Sequence, residues 1–177
     1  PAPMWIRCMA KCARPSPSPN KPDMMTEREK QALRNFAAGC NCAQAVMAAY
    51  ADAAGLTQEQ AMRLSAGFGG GMGRLRRECG AFSAMVMLAC AMEGDGSERA
   101  ENRPALYARV QKLYSEFVAE MGTVSCAQLL GRPEGAENPA PDKRDSAYYA
   151  KRPCASIIRR ACAIIERELR EGSGEAE

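Results

Sequence analysis

The sequence predicts an all-α protein: one compact bundle of about six to seven helices with a glycine-rich loop. The 177 residues are 46% apolar, which is enough for one hydrophobic core. Only 6% are aromatic, while alanine and methionine, which favour helix over strand, are plentiful. Apolar residues recur at helical spacing behind capping signatures, and no strand pair or internal repeat is evident. These observations together favour helices throughout.

Proline and glycine content divides the chain into three parts. Residues 1–25 contain six of the eleven prolines and are expected to form a disordered leader. Residues 26–170 are expected to form one helical, cysteine-rich domain. Residues 171–177, with two glycines, are expected to be a disordered tail.

Three helices are predicted in the first part of the domain. A capping box at Thr26–Glu29 opens a helix that ends at Gly39. The second helix is expected over 42–55 and a short third over 57–64, each ending at or before glycine.

Four further helices follow a glycine-rich loop at 67–74. Each is preceded by a loop, a capping serine or a proline suited to a first helical turn. They are expected to begin at Cys79, Pro104, Ser125 and Pro153, with a polar surface loop running to Asp145 between the last two.

Histidine is absent, which excludes Ser/His and Cys/His nucleophile pairs and imidazole metal ligands. Cysteine is abundant instead, with nine residues. Chemistry in this chain is therefore expected to use sulfur, and no catalytic residue is assigned.

The distribution of charged and apolar residues argues against nucleic acid and membrane as partners. The net charge of +3 arises within residues 1–25, so residues 26–177 are neutral overall and no nucleic-acid surface is predicted. No apolar run approaches the roughly 20 residues that cross a bilayer, and no signal-peptide core is recognisable. A cytoplasmic location is expected, where thiols stay reduced.

Four cysteines share one position, the first turn of a predicted helix. Unpaired backbone N–H groups there favour thiolate and donate hydrogen bonds to the sulfur ligands of a metal or cluster. If these helix starts converge, they form one tetrathiolate site from Cys42, Cys79, Cys126 and Cys154. The alternative is that cysteine acts only as a small buried apolar residue. The sequence contains no C-x-x-C pair of the kind that is typical of zinc fingers.

The remaining cysteines are interpreted as bystanders. Cys40 precedes its helix, and Cys90 and Cys162 fall in helix interiors, where core packing explains them. Cys8 and Cys12, in the leader, are left unassigned.

The glycine-rich loop lacks the nucleotide-binding signatures and does not follow a strand. Its glycines allow close backbone approach to a helix or to a cofactor. The candidate cofactor-contacting residues are Gly69, Gly70, Gly71 and Arg74. Arg74, Arg76 and Arg77 either balance a negative thiolate cluster, dock an acidic partner, or form a solvated turn.

Five motifs together resemble the redox-active C_GCAxxG_C_C family over roughly residues 30–170. They are Asn41-Cys42-Ala-Gln-Ala-Val46, the loop Gly67–Arg74, Cys79-Gly80-Ala81, Cys126 before Leu129-Leu130-Gly131, and Cys154. The resemblance maps the family's four cysteines onto Cys42, Cys79, Cys126 and Cys154. The family motif has glycine where this sequence has Ala84.

The family is related to the helical, cluster-bearing part of split-Soret cytochromes. The resemblance therefore implies an iron–sulfur cluster, [2Fe–2S], held by the four cysteines for electron transfer or redox sensing. It also implies an electron-transfer partner protein and is compatible with a homodimer. Haem is not implied, since no C-x-x-C-H site is present.

Two other functions stay open from the residues alone. The first is metal-free thiol–disulfide chemistry by cysteines such as Cys42 and Cys79. The second is a non-catalytic helical binding module, for which Cys42→Ser and Cys126→Ser would change little.

Overall fold

A computed structural model describes residues 25–94, 96, 101, 103–136 and 138–172. The expected leader and tail, with Cys8 and Cys12, lie almost entirely outside these ranges. The helices, in chain order, are α1 (Glu27–Ala37), α2 (Cys42–Ala49), α3 (Gln58–Ser65), α4 (Gly80–Glu93), α5 (Arg103–Met121), α6 (Cys126–Leu130), α7 (Ser146–Lys151) and α8 (Cys154–Gly172), with a 3-10 turn at Ala66–Phe68 after α3.

The all-α prediction is confirmed: the described residues form eight α-helices and no strand. The additional helix is α7, whose six residues lie between the end of the expected surface loop at Asp145 and the expected helix start at Pro153. The Asp145 carboxylate starts it by accepting the Tyr148 N–H at 2.9 Å. The helix escaped prediction because it has fewer than two turns and no apolar repeat.

The second helix is shorter than predicted. It ends at Ala49 rather than Gly55, because the Tyr50 N–H bonds to Met47 three residues back and the chain continues as turns. Gly55 still adopts the left-handed conformation expected of it, with φ +65°, but it closes these turns rather than the helix.

Helix α2 lies at the centre of the bundle and packs against α1, α3, α4 and α8. Its interior face is small and apolar, and Ala43, Ala45 and Val46 are completely buried. Small side chains allow neighbouring helix axes to approach closely. The first residues of α2 are therefore held near the starts of other helices.

Tyr50 ties the end of α2 to α8. Its ring is fully buried, and its hydroxyl lies 3.0 Å from the Glu166 carboxylate and 3.3 Å from the Cys162 carbonyl. Burial raises the pKa of Tyr50, and the nearby thiol and carboxylate add to that effect. The hydroxyl therefore remains protonated and donates its hydrogen.

Among the helices described, none combines the length and apolar character that a bilayer crossing requires.

Replacing Tyr50 by Phe should lower the free energy of unfolding by about 1 kcal/mol, because a buried hydrogen bond to α8 is lost while the ring still packs. Urea denaturation measures the change. Tyr107→Phe is the matched control, since that tyrosine is 57% exposed. Equal stability of the Tyr50→Phe variant and the wild type would contradict the role assigned to this hydroxyl.

Candidate functional site

The four cysteines singled out by the sequence stand at four helix starts. Cys42, Cys126 and Cys154 are the first residues of α2, α6 and α8. Cys79 occupies the N-cap position of α4, one residue earlier than expected. Together these four residues are called the thiol set below.

The fold brings the thiol set together. Electrostatic interactions join Cys42 to the other three thiols, join Cys79 to Cys126 and Cys154, and join Cys126 to Cys154. All six possible pairs therefore interact. Three of the cysteines are no more than 7% exposed. Cys42 is partly exposed, and its thiol is hydrogen-bonded to Cys154. None of the described cysteines is in a disulfide.

Glycine permits the start of α4 to approach the start of α2. A Cβ at Gly80 would lie 2.9 Å from the Phe68 carbonyl oxygen and 3.1 Å from the Ala43 nitrogen. Any larger side chain would force the two helix starts apart. This contact positions Cys79, immediately before Gly80, beside Cys42, immediately before Ala43.

Backbone hydrogen bonds join the segments that carry Cys79 and Cys126. Glu78 and Ser125 form an isolated antiparallel bridge. The Cys79 N–H donates to the Val124 carbonyl, and the Cys126 N–H donates to the Arg77 carbonyl, each at 2.7 Å. The positions of the two cysteines are thus fixed through their own main chain.

The glycine-rich loop packs directly against these helix starts. A Cβ at Gly71 would come 2.7 Å from the Cβ of Cys126, and one at Gly69 would come 2.7 Å from the side chain of Asn41. Asn41 caps α2 by accepting the Gln44 N–H at 3.0 Å, and its amide donates to the Ala66 carbonyl. The close approach expected of this loop is therefore an approach to the cysteine-bearing helices.

Gly70 and Arg74, the other two residues predicted to contact a cofactor, have different neighbours. A Cβ at Gly70 would lie 3.3 Å from Nη1 of Arg76. Arg74 instead forms an ion pair with Asp142 at 3.1 Å. Contact of these four residues with a cofactor stays a prediction.

Cys42 and Cys154 form a hydrogen-bonded pair of thiols. The hydrogen bond from Cys42 is the main cause that lowers the pKa of Cys154 to about 7, and the positive charges of Arg152, Arg144 and Arg76 contribute. The same hydrogen bond, together with burial, raises the pKa of Cys42. Cys154 is therefore the first thiol of the set to ionise, and Cys42 donates its hydrogen to that sulfur.

Burial opposes ionisation of the other two thiols. It raises the pKa of Cys79 to about 12, although the N–H groups of Ala81 and Phe82 lie near enough to favour the thiolate without closing a capping hydrogen bond. Burial also raises the pKa of Cys126, and a hydrogen bond from Arg76 acts in the opposite direction.

Among the residues that the structure describes, Arg76 is the largest fully buried side chain, at 1% exposure. Its guanidinium hydrogen-bonds to the Cys126 sulfur, and its backbone has φ +60°, a conformation rare for this residue type. Hydrogen bonds from Arg76 N–H to Gly70 and from Ala127 N–H to the Arg76 carbonyl hold it there. Of the three arginines considered in the sequence, Arg76 is the one directed at the thiol set. Arg77 is exposed and pairs with Glu134.

Sequence reasoning missed two further arginines, Arg144 and Arg152. Both lower the pKa of Cys154, and both guanidiniums lie over the ring of Tyr148, at 4.7 and 4.4 Å from its centroid. The available signal was the pair of tyrosines between these arginines, just ahead of Cys154. No helix was predicted between Asp145 and Pro153, so these two arginines had no predicted position relative to Cys154.

The remaining described cysteines lie outside the thiol set. Cys162 is fully buried, as its packing role requires, and burial raises its pKa to about 12. Cys40 is partly buried, with its thiol 3.9 Å from the Met62 sulfur. The expectation that Cys90 packs inside its helix bundle is wrong, because Cys90 lies near the exposed end of α4.

The residues present fit an anionic cofactor with thiolate ligands. In the described ranges, no three Cys, Asp or Glu side chains are grouped tightly enough for a single metal ion. An iron–sulfur cluster distributes its cysteine ligands over several irons, so these ligands can lie further apart than the ligands of one metal ion. In addition, Nη1 of Arg144 is buried without a hydrogen-bond partner among the described residues, so an unsatisfied donor lies near the thiols.

The fold and the site define an all-helical protein in which four cysteines from four helix starts lie together in a mostly buried site. The chain belongs to the C_GCAxxG_C_C family, described as "Putative redox-active protein (C_GCAxxG_C_C)", which matches residues 40–168. No curated protein and no solved structure matches it. The predicted departure from the family motif, Ala84, is fully buried in α4.

Replacing Gly80 by Ala should destabilise the protein by about 1–3 kcal/mol, because the added methyl meets backbone atoms that cannot move independently. The matched control is Gly67→Ala, where an added Cβ meets nothing within 4 Å and φ is not positive. Urea denaturation compares the two variants. Equal effects would show that the α2–α4 approach is not the constraint described.

Proposed function

We propose that the thiol set binds an iron–sulfur cluster, [2Fe–2S], for electron transfer or redox sensing. The observation that carries this proposal is that four thiols from four separate helix starts all interact with one another in a mostly buried site. Such a tetrathiolate set matches the ligands of biological iron–sulfur clusters. When bound, the cluster would supply a one-electron redox step.

The chain's own residues supply the charge balance and hydrogen bonds that such a centre needs. Arg76, Arg144 and Arg152 place positive charge around Cys154, and Arg76 also donates to Cys126. Hydrogen bonds and cations at the sulfurs raise the reduction potential of a thiolate-bound centre. Burial of three of the cysteines limits access of water to the sulfurs.

Electron transfer requires a redox partner protein. It also requires a reducing compartment, such as the cytoplasm, in which the free thiols stay available for the cluster.

Anaerobically purified or reconstituted protein should be brown and contain two irons and two sulfides per chain. Cys126→Ser should lose most of both, because a buried ligand is removed, whereas Cys90→Ser should retain them, since Cys90 is exposed. Iron and sulfide analysis with visible absorption measures this. Colourless, iron-free wild-type protein after careful reconstitution would refute the proposal, and four irons per chain would correct the cluster type.

Arg76→Met should lower the midpoint potential of the loaded protein. A buried cation stabilises the more negative, reduced state, so its removal disfavours reduction, on the order of the 59 mV that marks a tenfold change for one electron. Potentiometric titration measures the shift. Arg77→Met is the control, because the Arg77 side chain is 62% exposed and solvent screens its charge. Equal potentials of the Arg76→Met variant and the wild type would contradict the role given to Arg76.

A second function is favoured by one specific observation, the hydrogen bond between the Cys42 and Cys154 thiols. In a metal-free protein these two sulfurs are the pair placed to form a disulfide. With a peroxide as oxidant, the Cys154 thiolate would become a sulfenic acid, and attack by Cys42 would release water and form the disulfide.

Mild peroxide treatment of metal-free protein should produce a Cys42–Cys154 disulfide, identifiable by mass spectrometry of the digested protein. Cys154→Ser should abolish it, and Cys162→Ser should not. A disulfide between other members of the thiol set would count against this pairing.

A further inference from the structure

We propose that a cleft beside α7 binds a small organic anion with two or more carboxylate or phosphate groups. The cleft has a volume of about 230 Å³ and lies between the loop after α6 and the helix α7. Its charged lining residues are Arg132, Asp142, Lys143, Asp145, Lys151 and Arg152.

Positive charge exceeds negative charge in this lining, with four cations against two carboxylates. The Asp142 carboxylate is shared by three guanidiniums, since it pairs with Arg152, with Arg74 at 3.1 Å and with Arg132 at 4.0 Å. The Arg74 hydrogen bond is the main reason that the pKa of Asp142 is lowered. The Asp142 carboxylate is therefore engaged by arginines, and within the described residues it forms no ion pair with either lysine of the lining.

Two ammonium groups are available to a ligand. Within the described part of the chain, neither Lys143 nor Lys151 has an ion-pair partner, and both residues are exposed. The other acid of the lining, Asp145, uses its carboxylate to accept the Tyr148 N–H. Ammonium and guanidinium groups together recognise carboxylate and phosphate oxygens through charge-assisted hydrogen bonds.

The cleft adjoins the thiol set. Arg152 and Tyr148 line it, and both also interact electrostatically with Cys154. The Arg152 side chain is only 10% exposed and is held between Asp142 and the Tyr148 ring. An anion in the cleft would therefore sit on the same arginine that faces the thiols. The site itself rests on these surface charges and is independent of whether iron is bound.

Isothermal titration calorimetry of the full chain, with pyrophosphate and tricarballylate as probes at constant ionic strength, tests the proposal. At least one probe should bind saturably at one site. Binding should weaken about tenfold for each ammonium removed in Lys143→Gln and Lys151→Gln, and more in the double variant, because each loses a charge-assisted hydrogen bond. The Lys30→Gln/Arg63→Gln double variant removes two cations outside the cleft and should bind as the wild type does.

The two probes separate the sources of the anion: binding of pyrophosphate alone identifies a phosphate ligand, and binding of tricarballylate alone identifies a carboxylate ligand. Two results would overturn the proposal. One is the absence of saturable binding by either probe. The other is unchanged affinity in the Lys143→Gln/Lys151→Gln variant, which would show that any binding reflects overall charge.

Discussion

Close approach of main chain to main chain around the cysteine-bearing helix starts is the constraint on which this structure depends. At Gly71 and Gly80, a Cβ would meet atoms of neighbouring segments at less than 3.0 Å. These two glycines allow the starts of α2, α4 and α6 to gather, and the bridge at Glu78 and Ser125 fixes two of them together. With bulkier residues there, the same helices would still bury apolar faces, but their thiols would be held further apart.

Gathering thiols in a buried site raises an electrostatic problem that the arginines address. Burial favours neutral thiols, as the raised pKa values of Cys79 and Cys126 indicate. A thiolate-bound cluster requires the opposite state, and a buried guanidinium is itself costly without a negative neighbour. Arg76 and the thiol set therefore stabilise each other when the sulfurs are negative. This mutual dependence links the unusual burial and backbone conformation of Arg76 to the redox role proposed for the site.

The sequence was most informative where local rules and tertiary structure agree. Capping residues such as Thr26 and Ser125 start their helices as predicted, and the common helix-start position of the four cysteines followed from local signals of this kind. Features that depend on tertiary interactions were not predicted. The early end of α2, the exposure of Cys90 and the approach of Arg144 and Arg152 to Cys154 depend on how distant segments pack, and no local spacing encodes that packing.

The central claim, that the thiol set holds iron through sulfur alone, is tested most directly by iron K-edge X-ray absorption on anaerobically reconstituted protein. The account predicts a first shell composed only of sulfur, with a second shell from a neighbouring iron. A first shell of oxygen or nitrogen, or the absence of an iron neighbour, would contradict it.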